Sequence, residues 1–428
     1  MTSLVVDGGT PVWDGAWPAW PRVTDTLSAS VDKALRSGRW AVSGEWTGEE
    51  PLDRRLADRF ARYAGTDYCL PVDHGSSALV LGLLASEVRP GDEVIVPGMT
   101  WVATASAVAR LGARPVLVDV DPGSMCLDPE AVADAITPRT RAVVAVHLYS
   151  AMADMDRLRA LCVQHELGLI EDCAQAYGAR WRGRPAGSWG DVGAFSTQQG
   201  KALTSGEGGL FVTSRPDLYE LAEMYRGDGR RYAVPPPPLG RPALREYDRV
   251  QGWNMHLSEL QAAVLLDALV DLVPLDERRR RAAELLDSRI AAESGEQVEL
   301  VTPYPHNDAR GYYHYVLRLK PGQWEGVDVR TVCAALSAEL GLYAHITYPP
   351  LNAHPLYDPR RMASLGRVPT AALDPGQYAL PVAEALSRRT VLVHHSALLA
   401  DPPALEALVD AVVKVCRNRR TLRGRELS

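Results

Sequence analysis

Ile170-Glu171-Asp172-Cys173-Ala174-Gln175 stands near the middle of the chain, and Gly193-Ala194-Phe195-Ser196-Thr197-Gln198-Gln199-Gly200-Lys201 follows it. In the first stretch an acid closes a short apolar run, Gly168 to Ile170. In the second a single lysine sits in a polar, glycine-flanked loop after another apolar run. Both are expected at strand ends. Lysine supplies an amine that condenses with an aldehyde, and a carboxylate beside a ring nitrogen keeps that nitrogen protonated as an electron sink. The pair suits an aldehyde-bearing, pyridine-type cofactor, whereas either residue alone reads as an ordinary surface side chain.

Around this pair, from about residue 66, short β-rich runs alternate with helical ones. Tyr68 to Val72, Glu93 to Val96, Pro115 to Val120, Ala142 to Leu148, Leu169 to Ile170, Gly193 to Phe195 and Leu210 to Val212 read as strands. Ser77 to Leu84, Val102 to Leu111, Pro129 to Ala135, Met155 to His165 and Pro216 to Tyr225 read as the helices between them. This order predicts an α/β fold, a mostly parallel seven-stranded sheet flanked by helices, with ligands at the carboxyl ends of the strands. Upstream, Thr26 to Ser37 has helical spacing, and Leu52, Leu56 and Phe60 stripe a helix that ends at Gly65.

The flanks are read more coarsely. Residues 1–24 form an extended arm whose Trp13, Trp17 and Trp20 pack on the protein's own body or on a partner subunit. Residues 25–270 make the large domain, and 271–428 a smaller α+β C-terminal domain. Asn254 to Leu269 reads as one helix and Leu275 onward as another, with Arg278 to Arg281 as its solvated face. The prolines at 235–238 mark a loop.

Composition narrows the function classes. The 428 residues are 46% hydrophobic and 23% charged, ordinary for a soluble globular protein. A net charge of −7 leaves no basic excess for nucleic acid. No apolar run approaches the roughly 20 residues that cross a bilayer. Met1 to Gly9 has no basic segment of a secretory signal. The six cysteines show no zinc-like spacing, so they are expected as reduced thiols in a cytoplasmic protein, with no metal site.

Other residues gather around the central pair. Tyr68 to Val72 runs into Gly75-Ser76-Ser77 at a helix start, where bare N–H groups and the helix dipole suit a phosphate, although the same residues also serve as helix caps. Trp101 follows a strand and offers a ring to a planar cofactor. Ser196 adds a hydroxyl. The loop from Arg39 to Gly48, with Trp40, Ser43 and Trp46, reads either as a substrate cover or as a turn with packed rings. His394 and His395 read as strand neighbours facing opposite sides, so that one alone would face a site.

The ordered motifs Gly-Ser-Ser-Ala-Leu, Pro-Gly-Met-Thr-Trp, Val-Asp-Val-Asp, Val-His-Leu-Tyr, Glu-Asp-Cys-Ala-Gln-Ala, Gly-Asp-Val-Gly-Ala-Phe-Ser, Gly-Glu-Gly-Gly and Gly252-Trp253-Asn254-Met255-His256-Leu257-Ser258-Glu259 cover nearly the whole chain. Together they resemble the fold-type I, pyridoxal phosphate-dependent sugar aminotransferases of the DegT/StrS group. The resemblance implies pyridoxal 5′-phosphate as cofactor and makes Lys201 and Asp172 the catalytic pair. It also implies Gln175 at the ring hydroxyl, Trp101 on the ring face, and Gly75, Ser76 and Ser196 at the phosphate. Asn254 would reach the phosphate of a neighbouring subunit in a homodimer.

Within that family, Arg39-Trp40-Ala41-Val42-Ser43-Gly44, Gln198-Gln199-Gly200-Lys201 and Val391-Leu392-Val393-His394-His395 are similar to the L-glutamine-dependent cyclitol aminotransferases of aminoglycoside antibiotic biosynthesis. This resemblance implies L-glutamine as donor and 2-deoxy-scyllo-inosose or scyllo-inosose as acceptor, with Trp40, Ser43 and His147 as substrate contacts. The alternative is a nucleotide-linked keto-hexose.

Overall fold

In the computed structural model, which describes residues 3–366, 368 and 370–426, seven strands build the large sheet. They are β1 (Tyr68–Val72), β2 (Glu93–Pro97), β3 (Arg114–Val118), β4 (Thr140–Val146), β5 (Gly168–Asp172), β6 (Val192–Ser196) and β7 (Gly209–Thr213). Their order is β1-β7-β6-β5-β4-β2-β3. Only β7 runs against the rest. The strands are apolar along almost their whole length because both faces are covered, as a parallel sheet requires.

Helices α1 (Asp25–Arg36) and α2 (Leu52–Ala64) precede the sheet. The connections carry α3 (Gly75–Ala85), α4 (Ala103–Arg110), α5 (Pro129–Ala135), α6 (Met155–Gln164) and α7 (Pro216–Arg226). Each expected strand and each expected helix up to residue 226 is present, with ends shifted by a few residues. Leu56 and Phe60 of the α2 stripe are fully buried in the core below the sheet.

The region after residue 250 departs from the sequence reading. Asn254 is not helical. Segment 250–257 is irregular, and one helix, α8 (Glu259–Glu293), replaces the two expected. Ser258 starts it with a capping box, its hydroxyl accepting from the Gln261 amide while Gln261 Oε1 accepts from the Ser258 amide. Pro274 lies inside α8 without ending it. A mid-helix proline costs about 3 kcal/mol and strips the carbonyl four residues back of its donor. Here that carbonyl belongs to Val270, which is 68% exposed, so water can serve it. Burial of Leu272, Asp276 and Arg279 on the opposite side holds the helix together. The expected division at 270/271 falls within this helix.

Beyond α8, strands β8 (Val298–Leu300), β9 (His314–Leu319), β10 (Ala344–Ile346) and β11 (Thr390–His394) form an antiparallel sheet ordered β8-β9-β11-β10. Helices α9 (Val329–Leu340), α10 (Pro381–Ser387) and α11 (Pro402–Asn418) complete the chain. A second core lies under this sheet, and the C-terminal half of α8 (Ala282, Ala283, Leu286, Ile290) belongs to it.

The arm packs on its own chain. Val12 and Trp13 donate their amides to the Glu339 carbonyl, Trp17 Nε1 donates to Leu340 O at 2.7 Å, and Trp20 Nε1 donates to Lys201 O at 3.2 Å. The arginine run is not uniformly solvated either. Arg279 is fully buried, bonded to Asp276 Oδ1 (2.8 Å) and His395 Nδ1 (3.2 Å), whereas Arg280 and Arg281 pair with Glu277 on the outer face. No helix among the described residues is long and apolar enough to cross a membrane.

Candidate functional site

Strands β1, β2, β5 and β6 all deliver their carboxyl ends to one cavity of about 580 Å³, and antiparallel β7 begins there. Its wall takes Gly75 and Ser76 from the start of α3, Thr100 and Trp101 after β2, Asp172 at the end of β5 with Gln175 beyond it, and Ser196 at the end of β6 with Lys201 beyond it. The small sheet closes the other side with Tyr313, His314, His345, Tyr348 and His394. Among the described residues no arginine lines it.

Asp172 is 6% exposed at the cavity floor. Its Oδ2 accepts from Thr104 Oγ1 (2.9 Å) and its Oδ1 from the Ala174 amide (3.2 Å), which fixes the carboxyl plane. Burial pushes its pKa up, against the pull of those two donors and of Lys201. Loss of water brings the Lys201 amine down to about 8, with Asp172 opposing the shift. Lys201 Nζ lies 4.0 Å from the centroid of the Tyr313 ring, and no hydrogen bond or ion pair takes it among the described residues.

The start of α3 is open to the cavity. His74, at the N-cap, has extended backbone and makes no side-chain capping bond. Its Nδ1 faces Glu207 Oε2 at 3.2 Å. The first helical amides, at Gly75 and Ser76, are the ones a helix leaves without intrahelical partners. Two glycines make room. A Cβ on Gly75 would lie 2.7 Å from Ser196 Cβ, and one on Gly209 would lie 2.5 Å from the Gly75 nitrogen and from the His74 carbonyl. Gly209→Ala is expected to destabilise the protein by about 1–3 kcal/mol, the usual cost of overpacking, read as a lower urea midpoint at unchanged slope.

Gln175 is buried, its Oε1 accepting from the Tyr149 amide (3.0 Å) and its Nε2 donating to Tyr348 Oη (3.3 Å). Trp101 is 46% exposed, its ring edging those of Tyr348 and His354. Thus Lys201, Asp172, Gly75, Ser76, Trp101, Gln175 and Ser196 are brought together.

Four expected residues are not in this cavity. His147 was expected at substrate, but its ring is fully buried. Ala153 donates its amide to Nδ1 (3.2 Å), so the proton sits on Nε2 and goes to Glu171 Oε2 (2.9 Å). Val146 pairs with Asp172 in register and lines the cavity, so the next residue points away from it. Trp40 is 54% exposed and donates Nε1 to Leu35 O, Ser43 is exposed near it in sequence, and Asn254 is exposed while its backbone bridges to Gly227.

His147, Glu171 and Cys173 bring one ligand atom each within 4.8 Å of one another. Glu171 is already saturated, because the amides of Trp189 and Gly190 donate to Oε1 and the Gly187 amide joins His147 at Oε2. Burial raises the Cys173 thiol well above its ordinary range.

Of the adjacent histidines only His394 lines the cavity, as expected, while His395 is fully buried behind it. β11 ends at His394 and His395 begins a helical turn, so both Nε2 atoms reach Gly200 O, at 3.0 and 3.1 Å. Sequence reasoning also missed Tyr313, His314, His345, Tyr348 and Thr104. The first four lie in or beside β9 and β10, far in sequence from Asp172 and Lys201. Only Thr104, four residues after Thr100 at the start of α4, lies close in sequence to a residue already singled out, Trp101.

The DegT/DnrJ/EryC1/StrS aminotransferase family model matches residues 23–399. An L-glutamine:2-deoxy-scyllo-inosose aminotransferase of Streptomyces kanamyceticus is 46% identical over 421 residues, 98% of either chain. An L-glutamine:scyllo-inosose aminotransferase of Streptomyces griseus is 43% identical over 422 residues, 98% of this chain and 99% of its own. Among solved structures, that of 3-amino-5-hydroxybenzoic acid synthase matches at TM-score 0.79 and 31% identity, over 94% of this chain and 99% of that one.

Proposed function

Since the chain belongs to the DegT/DnrJ/EryC1/StrS aminotransferase family, we propose that it transfers an amino group from L-glutamine to a keto-cyclitol, 2-deoxy-scyllo-inosose or scyllo-inosose, in aminoglycoside biosynthesis. Its cofactor is pyridoxal 5′-phosphate. The observation that carries the reading is a cavity whose lysine, among the described residues, is unpaired beside a buried carboxylate and whose wall holds no arginine. A nucleotide-linked sugar brings a pyrophosphate that wants guanidinium partners, whereas an uncharged polyol is served by the imidazole and phenol groups present here.

The donor set fits the cofactor. The α3 terminus with Gly75, Ser76 and Ser196 suits its phosphate, and the glycine cradle leaves no room for a side chain there. Trp101 offers a face to the ring, Gln175 a polar contact to its hydroxyl, and Asp172 a carboxylate to its nitrogen. When bound, the cofactor supplies an electrophilic carbon for the amine and a ring that takes up electron density from the donor's α-carbon.

Lys201 moves the proton. An amine near pKa 8 is in part neutral at physiological pH, so it can accept a proton from the donor α-carbon and release it. Asp172 holds the ring-nitrogen proton, and Thr104 and Ala174 keep its carboxylate aimed. Trp101 and Tyr348 exclude water from one side. Trp40, Ser43 and Asn254, exposed and outside their own cavity, serve a partner's site in a homodimer that works in the cytoplasm. Six unpaired, buried cysteines support that compartment.

The test is spectroscopic. The visible band of the cofactor-loaded enzyme is expected to bleach on adding L-glutamine without acceptor, and to return on adding the keto-cyclitol. A band that ignores glutamine but answers another amino acid would overturn the donor. Competition by nucleotide sugars against the free cyclitol would overturn the acceptor.

A further inference from the structure

Two parts of the chain that lie far from Lys201 in sequence, the arm and the end of β11, meet at its main chain. The peptide unit entering Lys201 is held at both ends. Its N–H donates to Gln198 O (2.8 Å), and its oxygen, that of Gly200, lies 3.0 Å from His394 Nε2 and 3.1 Å from His395 Nε2. A carbonyl only accepts, so both imidazoles donate from Nε2. Their other nitrogens agree with that assignment. His394 Nδ1 meets the Ser396 hydroxyl (2.9 Å) and amide (3.3 Å), and His395 Nδ1 accepts a hydrogen bond from Arg279 Nε (3.2 Å).

The peptide unit leaving Lys201 is held by the arm. Trp20 Nε1 donates to Lys201 O, the indole sits edge-on against His395 at 4.7 Å, and the Arg279 guanidinium lies 5.2 Å from the Trp20 ring. Peptide units are rigid planes. With both planes that meet at the Lys201 Cα fixed, φ and ψ are fixed, and so is the direction of its Cβ. The turn at 198–201 is already closed by its own Lys201–Gln198 bond, so the three ring donors are more than the turn needs.

We propose that Trp20, His394 and His395 are positioning residues for Lys201, aiming its side chain at the cavity floor beside Asp172, and that the N-terminal arm is through Trp20 a working part of the site. This rests on Lys201 being the reacting amine. The groups that face that amine are Asp172 at the end of β5, Tyr313 and His314 at β9, and His394 at β11. Burial holds both histidines below their ordinary pKa, so Asp172 is the one charged neighbour. A lysine released from its clamp swings toward solvent and regains an ordinary amine pKa.

The test reads Lys201 in the cofactor-free protein, by the pH dependence of its acetylation with acetic anhydride, followed by mass spectrometry of its peptide. The wild-type midpoint is expected near 8. Trp20→Phe keeps a ring against His395 and loses only the N–H donor. Its midpoint is expected at about pH 9 or above, toward the ordinary lysine value, with kcat lowered and the KM for glutamine little changed. His394→Leu is expected to move the same way, and His394→Gln, which retains a donor at the Nε2 position, to restore the wild-type midpoint. Should Trp20→Phe fail to fold, the two His394 variants decide. Wild-type midpoints in both Trp20→Phe and His394→Leu would overturn the proposal. Labelling uses no cofactor, glutamine or acceptor, so that result is distinct from a loaded enzyme whose band ignores glutamine.

Discussion

Lys201→Ala is expected to lower turnover by at least about a thousandfold while the protein stays folded, because it removes the one group that takes and returns the proton. The folding half of this expectation follows from the surroundings. The Lys201 amine makes no hydrogen bond or ion pair among the described residues, so its loss strands no partner. The bonds that organise the loop are made by the main chain, which alanine keeps. Removing a desolvated amine also relieves a burial cost, so the melting temperature is expected within a few degrees of wild type. A coupled assay for the amino-cyclitol product and a thermal melt check both halves. Activity near that of wild type would remove Lys201 from the chemistry altogether.

Asp172→Asn is expected to cost about 10²–10³-fold in the proton-transfer step, the size of effect seen when one preorganised electrostatic group is lost. Asparagine keeps the shape. Its oxygen can still accept from Ala174, and its amide can donate to Thr104, whose hydroxyl also accepts and is already paired with Thr100. The local fold is therefore retained and only the charge is lost. A neutral amide does not hold the ring nitrogen's proton, so the α-carbon of the donor becomes less acid, whereas glutamine binding depends little on this group. Exchange of the glutamine α-hydrogen with deuterated water, followed by NMR, separates the two. An exchange rate equal to that of wild type would refute the role.

What was legible in the sequence follows from how local each signal is. Asp172 and Lys201 end or follow short apolar runs, and a strand end can be read from its own residues. The α/β alternation up to residue 226 is of the same kind. His147 was misassigned because its direction depends on the register of β4 against β5, which no single strand reveals. The joining of two helices into α8 was missed because the proline rule is local, while the burial of Leu272, Asp276 and Arg279 that overrides it is tertiary. Tyr313, His314 and His345 went unnoticed for a related reason. They meet only once β9, β10 and β11 pair, and β10 is three residues long.

The long helix has a consequence for how the molecule comes apart. Thirty-five residues at about 1.5 Å each make α8 roughly 50 Å long, and its two halves are rooted in different cores. A chain ending near residue 270 would stop in mid-helix and lose Leu272, Asp276 and Arg279, whose burial holds the helix past Pro274. Melting of either core removes the support for the half-helix that continues into the other. The two sheets are thus expected to unfold in a single cooperative transition, read as one coincident melt by calorimetry and by circular dichroism.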